Sequence, residues 1–148
     1  MANKIIGKIS HGLQGELIIP GDKSVSHRSV MFAALGDTPV HITNFLPSAD
    51  CLSTAGVMQA LGAKVDFLGP TELVVKGNGL HGLKEPATVL DAGNSGTTLR
   101  LMMGMLAPQK FVSVFTGDSS LHKRPMGRVI KPLSMMGANI VGRAENTR

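Results

Sequence analysis

Two stretches of the chain are versions of one another. GDKSVSHR runs from Gly21 to Arg28 and GNSGTTLR from Gly93 to Arg100, an offset of 72 residues. Each opens on a glycine and an acid or amide, continues through small residues and closes on an arginine. A second pair, LGAKV at 61–65 and MGANI at 136–140, recurs at an offset of 75. A period of this size marks a supersecondary unit that buries its apolar face against a neighbouring copy, so it constrains the fold more than any single motif. The chain reads as one complete unit, 21–92, followed by most of a second, 93–148, and is therefore expected to be a piece of something longer.

Within each unit the apolar spacing alternates between helical and extended periods. Leu99, Met102, Met103 and Leu106 fall at i, i+3, i+4 and i+7, which predicts a helix over 95–106 that stops before Pro108. Met126, Val129, Ile130 and Leu133 repeat the pattern over 125–136, with Pro125 at the first helical position and Gly137 at the end. Thr54, Val57, Met58 and Leu61 do so over 50–61, and a weaker helix is expected over 26–35. Short β-like runs lie between them at 16–19, 40–45, 63–67, 72–76, 87–90, 111–116 and 138–141. Strands alternating with helices give an α/β class.

The glycine-led stretches sit where helices begin. A helix start leaves backbone N–H groups unpaired and carries roughly half a positive charge, so it attracts anions. Glycine lets an anion approach the backbone, and Ser, Thr and Asn add donors. GNSGTT with Arg100 one turn inside has this composition, and GDKSVSHR repeats it with more charge in Lys23, Ser24 and Arg28. Ordinary helix capping explains either stretch taken alone. Recurrence with an arginine in the same place favours two anion cradles. A third basic stretch, TGDSSLHKRPMGR at 116–128, sets His122, Lys123, Arg124 and Arg128 around a helix start, although a solvated basic loop also fits it. No stretch has P-loop or dinucleotide-fingerprint spacing, so no nucleotide cofactor is indicated.

Composition narrows the partners. A formal net charge of +5 suits anionic ligands, but the chain has no Trp, no Tyr and five Phe, which removes most of the stacking surface used by nucleic-acid binders. Small anionic molecules are the better expectation. The single Cys51 cannot form an internal disulfide, and reads as a small buried thiol. His41 and His81 lack ligand-spaced partners, so no metal is expected. The Met pairs at 102/103 and 135/136 read as core filler. No run is long and apolar enough for a membrane span or secretory signal, so the expected compartment is the cytoplasm.

PGDKSVSHR, LDAGNSGTTLR and KRPM, in that order over essentially the whole chain, resemble the N-terminal third of the 5-enolpyruvylshikimate-3-phosphate synthase family. The resemblance implies a transferase of the shikimate pathway that moves the enolpyruvyl group of phosphoenolpyruvate to shikimate 3-phosphate, without metal or cofactor, in chorismate and aromatic amino acid biosynthesis. It implies the family's inside-out α/β barrel of βαβαββ units, here an incomplete domain, with residues 1–20 belonging to the other domain. It assigns Lys23 to phosphoenolpyruvate and its chemistry, the catalytic role, and Lys23, Ser24 and Arg28 to shikimate 3-phosphate. Asn94, Gly96, Thr97, Arg100 and Arg124 fall to phosphoenolpyruvate. It also implies glyphosate as an inhibitor of the complete enzyme, a monomeric full-length protein, and no nucleic-acid or membrane partner. The chain alone is expected to be inactive.

Three alternatives stand beside this. The sister transferase acting on UDP-N-acetylglucosamine has Lys-Asn where this chain has Lys23-Ser24, and a reactive cysteine in the loop matching TGDSSLHK, which has none. A non-catalytic anion-binding module, or a fragment that pairs with a second chain, also accounts for the basic charge.

Overall fold

The computed structural model describes residues 14–143 continuously, together with 3, 5, 7, 8 and 12. The expected opening segment 1–20 and the end of the second unit, 144–148, therefore lie partly outside the described residues. Helix α1 (Lys23–Ala34) leads to strand β1 (Val40–Ile42), helix α2 (Ala49–Ala60) and the strands β2 (Lys64–Gly69) and β3 (Glu72–Lys76). Strand β4 (Leu90–Asp91), helix α3 (Gly96–Leu106), strand β5 (Phe115–Thr116), a 3-10 turn at Leu121–Lys123 and helix α4 (Gly127–Met135) follow. The class is α/β, as the alternating periodicities predict.

Two sheets carry the strands. β1, β3 and β2 form an antiparallel sheet with β3 central, its register running Val40 opposite Val75 and Val65 opposite Val75. The alternation in ELVVK decides which face is covered, because Leu73 and Val75 are fully buried while their neighbours are not. β4 and β5 pair in parallel, joined by α3, so they form a βαβ crossover. Helix α2 packs against α1, α3, β2 and β4, and α4 packs against α3. One core holds Val30, Met58, Leu61, Leu73, Val75, Leu90 and Met102; a smaller one gathers Ala92, Leu121, Met126 and Ile130 beneath α3 and α4. Each large buried side chain of this kind contributes about 1.5–3 kcal/mol over its exposed state.

Helix ends repeat with the sequence. The residues after α2 and α4, Gly62 and Gly137, both sit at φ 96, and each helix closes with the same pair of bonds. Ala63 N donates to Met58 O and Ala138 N to Leu133 O, both at 3.0 Å, a left-handed turn that glycine enters without Cβ strain.

Several boundaries differ from expectation. α1 begins at Lys23, not Ser26, because the Asp22 carboxylate accepts from Val25 N at 2.7 Å and caps an earlier turn. α4 begins at Gly127, not Pro125. Arg124, preceding the proline, is held extended at ψ 134, and Met126 occupies the cap, so Pro125 stays outside the helix. Pro132 lies inside α4. The runs at 87–90 and 111–116 shrink to β4 and β5, and those at 16–19 and 138–141 form no strand. At 17–19 the apolar side chains are bare, Ile18 at 97% exposure, with no ladder to recruit them; β propensity alone does not hold an isolated extended segment.

The close of β3 is the tightest crossing in the fold. A Cβ on Gly77 would stand 1.9 Å from Ala34 O at the C-terminus of α1, and the obstacle is backbone. Gly77→Ala is expected to lower stability by about 2–3 kcal/mol, read as the shift in urea-unfolding midpoint; an unchanged midpoint contradicts the crossing.

Candidate functional site

Helices α1, α2 and α3 bring their N-terminal turns together around buried hydroxyl groups. His27 Nδ1 meets Thr54 Oγ1 at 2.6 Å, Thr54 Oγ1 meets Thr98 Oγ1 at 2.7 Å, and Thr98 Oγ1 reaches Ser95 Oγ at 2.7 Å. Ser95 caps α3 by accepting from Thr98 N at 3.0 Å. The first turn of α2 is tied to both neighbours. Asp50 O accepts from Thr98 Oγ1 at 3.4 Å, and the Cys51 thiol points at Lys23 O from 3.6 Å. Ser26 and Thr98, equivalent at the 72-residue offset, are both buried hydroxyls on the first turns of their helices. Burial pushes the Cys51 thiol up, which makes it an unreactive structural group.

Two clusters of charge lie at these helix starts. On α1, Lys23 and Ser24 occupy the first turn and Arg28 the next, all exposed, and the Lys23 ammonium forms an ion pair with the Asp50 carboxylate of α2. Around α3, Gly96 is flanked by two arginines. A Cβ there would stand 2.9 Å from Arg100 Nη1 and 3.0 Å from Arg124 Nη1. Arg124 Nη2 donates to Asn94 Oδ1 at 2.6 Å, and Arg100 Nη2 to Pro125 O at 3.4 Å. Burial lowers the pKa of Arg100, and the nearby Arg128 and Arg124 charges lower it further. Like charges gathered at the positive end of a helix dipole repel one another and make a setting that favours an anion.

The structure thus brings Asn94, Gly96, Arg100 and Arg124 together, with Thr97 half-buried beside Gly96. Lys23, Ser24 and Arg28 share a separate helix start, and α2 links the two groups through Asp50. Sequence reasoning did not single out Asp50, Asp118 or the His27, Thr54, Thr98 chain. The hydroxyl chain had one available signal, a small polar residue at the same place in both repeats. Asp118 had another, an acid three residues before Leu121, whose backbone N–H it accepts at 2.7 Å. His122 and Lys123 stay exposed on the 3-10 turn. His41 Nε2 lies 2.6 Å from Glu72 Oε1 on the far sheet. Among the described residues no group of three or more His, Cys, Asp or Glu could hold a metal ion, and no helix is long and apolar enough to cross a membrane.

Comparison with known proteins identifies relatives of this chain. The family model for EPSP synthase (3-phosphoshikimate 1-carboxyvinyltransferase) matches residues 8–148. A 3-phosphoshikimate 1-carboxyvinyltransferase of Chloroflexus aurantiacus is 56% identical over 136 residues, 92% of this chain and 31% of the relative. One from Bacillus thuringiensis is 52% identical over 147 residues, 99% of this chain and 34% of the relative. The solved EPSP synthase from Acinetobacter baumannii superposes with a TM-score of 0.85 at 47% identity, over 90% of this chain and 31% of that one. The chain spans about a third of the length of the curated relatives it matches.

His27 supplies a pH signature for the buried chain. Desolvation lowers its pKa from 6.5, partly opposed by Asp50 and reinforced by Lys23 and Arg28. The unfolded chain therefore binds the proton more readily, so this contribution to stability is complete above pH 6.5 and falls as pH drops through 6.5 toward the depressed folded value. Urea unfolding from pH 7.5 to 5 should show this acid loss, and His27→Gln should reduce it. Parallel profiles for the two proteins contradict the assignment.

Proposed function

Because this chain belongs to the EPSP synthase family, we propose that its two helix-start clusters are one side of an enolpyruvyl-transfer site. The observation that carries the reading is Gly96 between two arginines, a buried backbone position without a side chain, faced by Arg100 and Arg124. Phosphoenolpyruvate takes that side, with Asn94 and Thr97 beside it. Shikimate 3-phosphate takes the start of α1, on Ser24 and Arg28, and Lys23 lies between the two. The division into units 21–92 and 93–148 belongs to this reading. The assignment of 1–20 to another domain is supported by the bare Leu17, Ile18 and Ile19.

The chemistry follows from the charges. The 5-hydroxyl of shikimate 3-phosphate loses its proton as its oxygen bonds to C2 of phosphoenolpyruvate and a proton adds to C3, giving a tetrahedral ketal. Loss of a proton from C3 and of phosphate from C2 then restores the double bond in the product. Both substrates are polyanions, so fixed cations hold the charge without reorganising, and orientation in one site removes the entropic cost of a bimolecular encounter. The Lys23 ammonium serves at the bridging position. Its partner Asp50 orients it from the first turn of α2.

Protein-observed NMR titration tests the reading. Shikimate 3-phosphate is expected to shift Lys23, Ser24 and Arg28, while UDP-N-acetylglucosamine leaves them unmoved; a response to the nucleotide sugar alone transfers the chain to the sister activity. Arg28→Ala should weaken shikimate 3-phosphate by about 2 kcal/mol, the scale of a charged hydrogen bond.

Gly96→Ala separates binding from folding. The atoms its methyl meets are guanidinium tips at the ends of flexible side chains, so stability should change by less than about 1 kcal/mol. The displaced arginines should weaken phosphoenolpyruvate, and glyphosate more. Equal inhibition constants for the variant and the parent in the complete enzyme contradict this placement of Gly96.

A further inference from the structure

Arg124 is held by a residue that does not touch it. The carboxylate of Asp118 accepts from Asn94 Nδ2 through Oδ2 at 2.7 Å and from Leu121 N through Oδ1 at 2.7 Å. Its backbone N–H donates to Gly93 O at 2.9 Å and its carbonyl accepts from His122 N at 3.0 Å. On the other side of the same amide, Asn94 Oδ1 accepts from Arg124 Nη2 at 2.6 Å. The order is therefore carboxylate, amide, guanidinium, spanning the loop before α4 and the start of α3.

We propose that Asp118 is a positioning residue for the anion site, aiming Arg124 at Gly96 through the Asn94 amide. This deepens the phosphoenolpyruvate reading and rests on it for the identity of the ligand. An amide has two nearly equivalent orientations, and its neighbours choose between them. A carboxylate accepts and a guanidinium donates, so only one orientation of Asn94 satisfies both. That orientation secures Arg124 Nη2 and leaves Nη1 on the Gly96 side, where a Cβ would lie 3.0 Å from it. A direct Asp118–Arg124 pair would also fix the arginine, but would set a carboxylate against the incoming anion. With the amide interposed, the acid sets direction and Arg124 keeps its charge for the ligand. Backbone and side-chain donors at Leu121 and Asn94 hold the Asp118 carboxyl below its ordinary pKa, so it remains an acceptor through the neutral range. Asn94 thereby changes role. Both ends of its amide are engaged, and it acts on the ligand through Arg124.

The test reads Arg124 directly. In the 15N-labelled chain, the order parameter of the Arg124 Nε–Hε group is measured for the parent, Asp118→Ala, Asn94→Ala and the double variant. Both single variants should loosen Arg124, and the double should be no looser than Asn94→Ala alone, the non-additivity of residues acting in series. Asn94→Ala leaves the Leu121 N–H bonded to Asp118, so it covers the case in which Asp118→Ala fails to fold. An Arg124 as ordered in Asn94→Ala as in the parent, or losses that add in the double variant, overturns the relay. Phosphoenolpyruvate is then titrated into each. About a tenfold weakening in Asp118→Ala, with shikimate 3-phosphate shifts at Arg28 retained, supports both statements. If the parent ignores phosphoenolpyruvate while Arg124 still loosens in the single variants, the relay stands and the ligand assignment fails.

Discussion

The buried contact between Thr54 and Thr98, with His27 on one side and Ser95 on the other, is the constraint on which the rest depends. It is the point where α1, α2 and α3 meet, and each group in it is almost fully buried. Buried hydroxyls are costly unless paired, so the three helices must hold one register relative to one another to satisfy them. Apolar packing tolerates small slips; a chain of 2.6–2.7 Å bonds does not. The register it sets is the one that brings the N-terminal parts of three helices together. His27 Nε2 is buried with no partner, so the network is stabilising in sum but incomplete at one end.

Convergent helix starts have an electrostatic consequence. Their N-terminal partial charges lie close together, and the chain adds Lys23, Arg28, Arg100, Arg124 and Arg128 beside the Asp22 cap of α1 and the Asp50 of the first turn of α2. None of the three arginines around α3 is ion-paired with a carboxylate among the described residues, and their mutual repulsion contributes to the depressed pKa of Arg100. Such a cluster is held together against its own repulsion, which an anion bound as proposed would relieve, and the buried hydroxyl chain joins the helices that carry two of these cation groups.

How much of this was readable from the sequence varies with the range of the interaction. The helix at 95–106 and the hairpin strands at 63–67 and 72–76 were legible because their apolar period and punctuation act locally. The 72-residue recurrence located both clusters, since each glycine-led stretch carries its own cap and its own arginine. The strands at 16–19 and 138–141 were misread because a β-like run becomes a strand only with a partner, and pairing is a property of the fold. Asp50 was invisible for the same reason, lying 27 residues from Lys23 in an ordinary helix first turn. Asp118 and Asn94 are 24 residues apart, and nothing in either local sequence announces the other.

The two acids also divide the labour at this surface by different means. Asp50 pairs directly with Lys23, whose side chain is half exposed, and an ion pair in such a setting is worth only about 0–1 kcal/mol. On the proposed reading, an anionic ligand would draw Lys23 away from Asp50 at little cost. Asp118 acts through an intervening amide, so the geometry it imposes on Arg124 need not be broken when a ligand arrives. In the proposed site, the first arrangement suits a lysine that changes partner, and the second suits an arginine that presents one face beside Gly96.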